Sequence, residues 1–294
     1  MAFGGEFDII SCGIVQGTTL KKCTISSCHA IIQIMEEISE QHIKPVDQLV
    51  FSDDFMFGAV MREPEICKGV LERLLQVEID HIEYPELQKA ISPFYTRKGV
   101  RLDVYVADSD RVFDVECQTY KIESIGKRTR YYQSMIDIDS LMKGADYSEL
   151  KESFIIFLCL DDPFEAGLPA YSFERVCKEE ESVKLGDQTH HLIFNCAAYN
   201  EEKNPELREF LAFVKSNKAE SDFTRRIENM VTTKKFEQSF VNEYMAWNLH
   251  DQDVKKREKI STAKKLIALG LPIDTIAKGT ELPIDFIKKL FSQK

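Results

Sequence analysis

Two neighbouring segments between residues 100 and 119 carry acidic residues at positions that a buried apolar pattern does not require. Apolar residues alternate along the first segment, at Val100, Leu102, Val104 and Val106, which is the period of a β-strand. Asp103 therefore lies on the opposite face. A turn sequence leads into a second predicted strand, on which Asp114, Glu116 and Gln118 share one face. Together the segments predict an antiparallel hairpin in which Asp103 meets Glu116.

Two carboxylates that converge on a sheet surface have the chemistry of a site for a hard divalent cation. Mg²⁺ prefers oxygen ligands and keeps waters that a phosphate substrate can displace, and Mn²⁺ or Ca²⁺ are the expected substitutes. The predicted ligands are Asp103, Glu116 and the carbonyl of Cys117. Gln118 can orient a group but, as an amide, cannot act as a general base. The hairpin alone leaves a second interpretation open, in which these acids are solvated polar positions on exposed strand faces.

Four sequence blocks occur in a characteristic order: residues 51–61 (FSDDFMFGAVM), 100–105 (VRLDVY), 114–118 (DVECQ) and 128–133 (RTRYYQ), followed by a further block over 162–174. Together they resemble the Rpn family of recombination-promoting nucleases or putative transposases. This family is part of the PD-(D/E)XK nuclease superfamily, here in the variant with Gln in the Lys position. The resemblance runs from about residue 46 to about residue 200, with a looser match beyond.

The resemblance implies an α/β fold with a PD-(D/E)XK nuclease-like mixed β-sheet flanked by helices and a C-terminal all-helical extension. It implies a metal-dependent endodeoxyribonuclease, a phosphodiester hydrolase linked to recombination or mobile elements, whose partner is DNA. Asp103, Glu116 and Gln118 would be the catalytic residues. Asp54 is a further candidate, because an acid from the first helix often joins the metal site in this superfamily; it could equally be a simple helix cap. Cys117 replaces the family's usual Met.

The segment after the hairpin, residues 122–143, predicts a helix with basic and aromatic residues. Arg128, Arg130 and Gln133 are the candidate substrate-binding residues, and such residues can hold a phosphate or stack on a base. Arg130 and Gln133 are the preferred pair because they share a helix face at i and i+3. An amphipathic helix with solvated arginines is the alternative.

The composition limits the partners and the location that can be expected for the protein. The net charge of −11 is unfavourable for broad DNA coating, because affinity for nucleic acid rests on phosphate neutralisation by Lys and Arg. The charge is uneven, since residues 255–294 alone carry a net +6. The longest apolar run, residues 154–160, is far shorter than the roughly 20 residues that span a bilayer. We therefore expect a cytoplasmic location and no membrane partner. Eight cysteines without paired spacing predict reduced thiols.

The chain divides into three predicted regions: residues 1–45, an N-terminal extension of unknown role; 46–200, the nuclease-like domain; and 201–294, a helical region. Helices are predicted over 207–214, 223–249 and 256–269, and the end of the chain resembles a helix-turn-helix with Gly270 at its turn. A homodimer is expected only by analogy with nucleases that cut both strands. The rival function is a catalytically degenerate nuclease fold that binds DNA or protein. A strand-transfer transposase is a third, less supported alternative.

Overall fold

The computed structural model describes residues 43–292, except residues 80–81, 83–85, 92–99, 108–109 and 122. Nearly all of the predicted N-terminal extension, residues 1–42, lies outside the described residues. Residues Lys44–Lys294 form one compact unit. Within the described part of the chain, no helix is both long and apolar enough to cross a membrane.

The described residues form a mixed sheet of six strands: β1 Glu86–Ile91, β2 Val100–Ala107, β3 Arg111–Gln118, β4 Glu152–Cys159, β5 Ala170–Phe173 and β6 Thr189–Asn195. The spatial order is β1-β2-β3-β4-β6-β5. The β2–β3 pair is antiparallel, as the hairpin predicted, and β4 runs parallel to both β3 and β6. This central position explains the continuous apolar sequence of β4, because a strand buried on both faces needs no polar alternation.

The described residues also form eight α-helices: α1 Asp54–Met61, α2 Pro64–Leu75, α3 Ile125–Ser140, α4 Pro205–Ser216, α5 Asp222–Phe236, α6 Gln238–Ala268, α7 Ile273–Thr280 and α8 Ile284–Phe291. Helix α3 covers one face of the sheet, where its buried residues Tyr132, Met135 and Ile136 share a core with Ile155 and Phe157 of β4. The sheet, its flanking helices and the helical C-terminal region confirm the predicted fold class.

Two predicted helix boundaries after residue 220 are wrong. The predicted helix over 223–249 is interrupted at Glu237, whose extended backbone (φ −74°, ψ 116°) separates α5 from α6. The predicted gap between residues 249 and 256 does not exist, because α6 is continuous from Gln238 to Ala268. The intervening residues 250–255 are polar except for Val254 and contain no Gly or Pro, and Asp251 pairs with Lys255 one turn later at 2.7 Å.

The first helix begins in a way that leaves Asp54 available to the sheet. Asp53 is the N-cap residue, but its side chain makes no capping bond to the helix. Its carboxylate instead accepts from Lys44 Nζ at 2.6 Å and from the N–H of Val50 at 2.7 Å. Asp54 is the first residue of α1. Because Asp53 and not Asp54 is the N-cap residue, the Asp54 side chain does not cap the helix.

The last three helices form a small pack of their own. The end of α6 meets α7 and α8 around a buried cluster that includes Ala263, Ile267, Ile276 and Ile287. Gly270, with φ +76°, lies in the turn after α6, as the helix-turn-helix pattern predicted. Whether this unit contacts DNA stays a prediction.

Candidate active site

The hairpin of β2 and β3 brings Asp103 and Glu116 together at the point where regular pairing of the two strands stops. The last described pair in the register is Val104 with Val115, so Asp103 and Glu116 come next. The N–H of Asp103 donates to Glu116 Oε1 at 2.8 Å, and the N–H of Cys117 donates to Asp103 Oδ2 at 3.3 Å. Side-chain oxygens thus take the place of ladder carbonyls, which fixes both carboxyl groups against the backbone.

The guanidinium of Arg128 on α3 connects the predicted catalytic residues of β3. Its Nη2 donates to Glu116 Oε2 at 3.0 Å and its Nη1 donates to Gln118 Oε1 at 2.7 Å. Its Nε and Nη2 also donate to the hydroxyl of Tyr132, at 2.9 and 2.7 Å. The planar fork of Arg suits such multiple contacts. Gln118 in turn donates from Nε2 to the carbonyl of Cys117 at 3.3 Å.

The structure does not bring Gln133 to this cluster, so the predicted pairing of Arg130 with Gln133 needs correction. Gln133 is buried, donates to Asp137 Oδ1 at 2.8 Å and accepts from Ser153 Oγ at 2.9 Å. Ser153 lies at the start of β4, whereas Gln118 pairs with Cys159 at its end. Gln133 therefore supports the opposite end of the sheet. Arg130 is exposed and lines the same cleft as Asp103.

Asp54 lies beside Asp103. Both residues line the same cleft, and Asp54 Oδ2 is 3.5 Å from Arg101 Nη2. Its other oxygen, Oδ1, is buried without a hydrogen-bond partner in the described structure. Burial raises the pKa of Asp54 despite the nearby Arg101, and the carboxylate of Asp251 on α6 acts in the same direction as burial. The acid of the first helix therefore shares a cleft with Asp103, and its charge helps to raise the pKa of Asp103.

The pKa values of the strand acids are raised because too much negative charge is buried in one place. Burial raises the pKa of Asp103 well above its usual range, and the Glu116 and Asp54 carboxylates raise it further. Burial, followed by the charge of Asp114, raises the pKa of Glu116 despite the opposing effect of Arg128. A cluster of buried acids whose pKa values are strongly raised is typical of functional sites.

Asp114 belongs to this cluster, although it was not among the predicted site residues. It is fully buried, and neither carboxylate oxygen has a hydrogen-bond partner in the described part of the chain. Burial, followed by the charge of Asp103, raises its pKa well above the usual range. The alternation along β3 already placed Asp114 on the face of Glu116, and that signal could have identified it.

Asp54, Asp103, Cys117 and Gln118 line a cleft of about 1030 Å³, and Glu116 and Asp114 are fully buried behind its surface. The cleft is also lined by five basic residues, which are Arg101, Lys121, Lys127, Arg128 and Arg130. Tyr120, Tyr131 and Tyr132 contribute aromatic surface. The protein has a net charge of −11, yet several Lys and Arg side chains lie together in this cleft. Phosphate groups bind to local basic surfaces of this kind.

The donor set fits a hard divalent cation that keeps most of its waters. No group of three His, Cys, Asp or Glu side chains among the described residues is arranged to hold a metal by itself. Mg²⁺, however, commonly binds through one or two carboxylates together with water and substrate phosphate. Asp103 and Glu116 would supply the carboxylates, and burial together with the neighbouring acids raises the pKa of each. The Cys117 carbonyl keeps a second lone pair beside the Gln118 amide.

Comparison with known protein families identifies the chain's relatives. Residues 51–267 match the family model described as PD-(D/E)XK nuclease family transposase. The chain belongs to this family. Membership in the PD-(D/E)XK nuclease family transposases confirms the predicted resemblance and agrees with the mixed α/β fold. No curated protein and no solved structure matches the chain, so the roles of individual residues rest on this family's nuclease character and on the geometry above.

Proposed function

We propose that this chain is a metal-dependent DNA endonuclease that hydrolyses phosphodiester bonds, in keeping with a role in recombination or mobile-element biology. The observation that supports it is the contact between Asp103 and Glu116 at the end of a hairpin, with Gln118 on the same strand face. This is the arrangement that the nuclease signature requires. The five basic residues of the same cleft provide phosphate contacts.

Asp103 and Glu116 would hold Mg²⁺, with the carbonyl of Cys117 as a further oxygen. When bound, the cation polarises the scissile phosphate and lowers the pKa of a coordinated water. Gln118 cannot take a proton from that water, because its side chain is an amide. Its amide oxygen instead accepts from Arg128, so its role is to orient the guanidinium within the cleft.

Asp54 is the residue placed to accept a proton during hydrolysis. Burial raises its pKa, it lines the same cleft as Asp103, and its buried Oδ1 has no hydrogen-bond partner in the described structure. A general base works best when its pKa approaches the working pH and when its free oxygen faces the reacting group. Arg101, 3.5 Å from Asp54 Oδ2, would hold the carboxylate in position.

One observation favours the alternative function, a degenerate nuclease fold that only binds DNA or protein. Both oxygens of Glu116 already accept hydrogen bonds, and Arg128 already supplies a positive charge. A cation entering this site must compete with that guanidinium. The two functions therefore differ in whether a divalent cation changes what the protein does to DNA.

Plasmid cleavage by the purified protein tests the proposal. We expect nicking with Mg²⁺ or Mn²⁺, none in EDTA, and a loss of about 100-fold or more in Asp103→Asn and Glu116→Gln. Asp161→Asn is the matched control, because Asp161 is an exposed acid that pairs with Lys215 outside the cleft. Ca²⁺ serves as a further metal condition. If the wild type cuts DNA under none of the metal conditions, or if both variants cut as fast as it does, the assignment of nuclease activity to these residues fails and the binding function takes its place.

A further inference from the structure

Tyr120 is an exposed aromatic residue at the wall of the cleft. It lies in the bend that follows β3, two residues after Gln118, and it is 67% exposed. Within the described residues, the Tyr120 ring makes no hydrogen bond and no aromatic contact. Tyr132, in the same cleft, is by contrast buried and bound to Arg128. Tyr120 therefore contributes nothing visible to the fold.

The surroundings of Tyr120 match the chemistry of single-stranded nucleic-acid binding. Lys121 and Lys127 line the same cleft, and such sites combine a cationic groove with aromatic rings on which bases stack. Lys121 pairs with Glu165, which holds the chain next to Tyr120. The buried acids nearby weaken the electrostatic attraction for phosphate. An uncharged stacking contact would therefore make up a larger share of the binding free energy.

A tyrosine ring can stack only on a base whose face is open. In an intact duplex each base is covered by its neighbours, and the protein would have to unstack it at a cost in free energy. Unpaired DNA offers its base faces without that cost. We propose that Tyr120 stacks on an unpaired base and that the cleft prefers single-stranded or locally unpaired DNA to intact duplex. This inference rests on the proposed nuclease function, for which it names the substrate class.

Equilibrium binding of a labelled single-stranded oligonucleotide and of the same sequence as a duplex, measured in EDTA with the full chain, tests the inference. We expect the wild type to bind the single strand more tightly. Tyr120→Ala should weaken single-strand binding by about 5- to 150-fold, which is the usual effect of losing one stacked base. Duplex binding should change less than about twofold, because duplex bases are already stacked. The slope of affinity against salt should not change, since the ring neutralises no phosphate.

Two matched variants isolate the ring. Tyr120→Phe keeps the stacking surface and should retain the affinity of the wild type. Tyr147→Ala removes another exposed tyrosine, 82% exposed and outside the cleft, and should have no effect. Because Tyr120 is on the surface, Tyr120→Ala should unfold at the same temperature as the wild type, which thermal denaturation checks.

The outcomes separate this inference from the proposed function when cleavage with Mg²⁺ is measured on the same preparations. A wild type that cuts DNA, together with a Tyr120→Ala variant that loses affinity equally for both substrates or for neither, would overturn the stacking role alone. A wild type that prefers the duplex would do the same. A wild type that neither binds nor cuts DNA would overturn both. Selective loss of single-strand affinity in Tyr120→Ala, with rescue in Tyr120→Phe, would establish the inference.

Discussion

Replacement of Arg128 by Met tests whether its guanidinium is the counter-ion on which the buried carboxylates depend. Met has a similar length but neither charge nor donor. Glu116 has no exposed side-chain surface, and its Oε2 accepts from Arg128 at 3.0 Å. The substitution leaves Glu116 with the N–H of Asp103 as its remaining donor in the described structure. It also removes the donor that Gln118 and Tyr132 share.

The expected cost at pH 8 is about 2–4 kcal/mol in the free energy of unfolding. Removal of one partner from a buried ion pair typically costs about 3–5 kcal/mol. The value here is lower because the Arg128 side chain is 28% exposed and water can reach the space that it leaves. For a domain of this size, this free energy corresponds to a fall of roughly 5–15 °C in the melting temperature.

The cost should depend on pH, with a sign that follows from the raised pKa of Glu116. Burial and Asp114 raise this pKa and Arg128 lowers it, so Arg128→Met raises it further. Between the unfolded-state pKa, about 4.3, and the raised folded-state pKa, the folded protein binds more protons than the unfolded chain. Stability therefore falls as pH increases through this window. The variant should lose more stability at pH 8 than at pH 5.

Urea denaturation in EDTA at both pH values measures the effect. Arg130→Met is the matched control, since Arg130 lies two residues further along α3 and is exposed in the same cleft; it should cost less than about 0.5 kcal/mol. Added Mg²⁺ or Ca²⁺ should stabilise Arg128→Met more than the wild type, because the cation restores the lost charge. An equal loss at pH 5 and pH 8, or a loss no larger than that of Arg130→Met, would refute the counter-ion role.

Three further substitutions test the packing and electrostatics. In Gly69→Ala the new methyl group would lie 2.5 Å from a Phe223 ring carbon, so we expect a loss of about 1–3 kcal/mol; Gly126→Ala, with open space at the same position, should be neutral or stabilising by up to about 1 kcal/mol in thermal denaturation. Asp114→Asn removes an acid with a raised pKa, whose contribution to stability falls as pH rises above its unfolded value; the variant should gain more relative to the wild type at pH 8 than at pH 5, and a constant difference would contradict this. Gln118→Glu adds a carboxylate to a cluster whose buried acids already have raised pKa values, so chemical denaturation at pH 8 should show a loss of about 1–3 kcal/mol; Gln118→Lys loses the acceptor of Arg128 but adds a cation beside these acids, and should be tolerated better.

The sequence predicts the pair of acids at the centre of the site because a strand has a period of two residues. Alternation around Val104 and Val115 places Asp103 and Glu116 opposite each other, and the turn between the strands makes the hairpin antiparallel. That argument needs only local information. The same alternation places Asp114 on the strand face of Glu116. No local pattern, however, shows that Asp114 is fully buried without a hydrogen-bond partner in the described structure.

The role of α3 could not be derived in the same way. Arg128, Arg130 and Gln133 are all polar residues on one predicted helix, and which of them faces β3 depends on how the helix lies across the sheet. Arg128 and Tyr132, four residues apart, meet on the helix surface, and this face contacts Glu116. The i and i+3 spacing predicts a shared face for Arg130 and Gln133, and it fails at Gln133 alone, because Arg130 lines the cleft whereas Gln133 is buried against Ser153.

The helical region after residue 200 contributes to the site, which explains why the family match continues to residue 267. Phe55 follows Asp54 on α1, and its ring packs within 5.4–5.5 Å of Phe240, Tyr244 and Trp247 on α6. Residues Asp54 and Phe55 are adjacent, so the aromatic contacts of one restrict the position of the other. Helix α6 therefore helps to fix the start of α1, and with it the position of Asp54 in the cleft that Asp103 also lines.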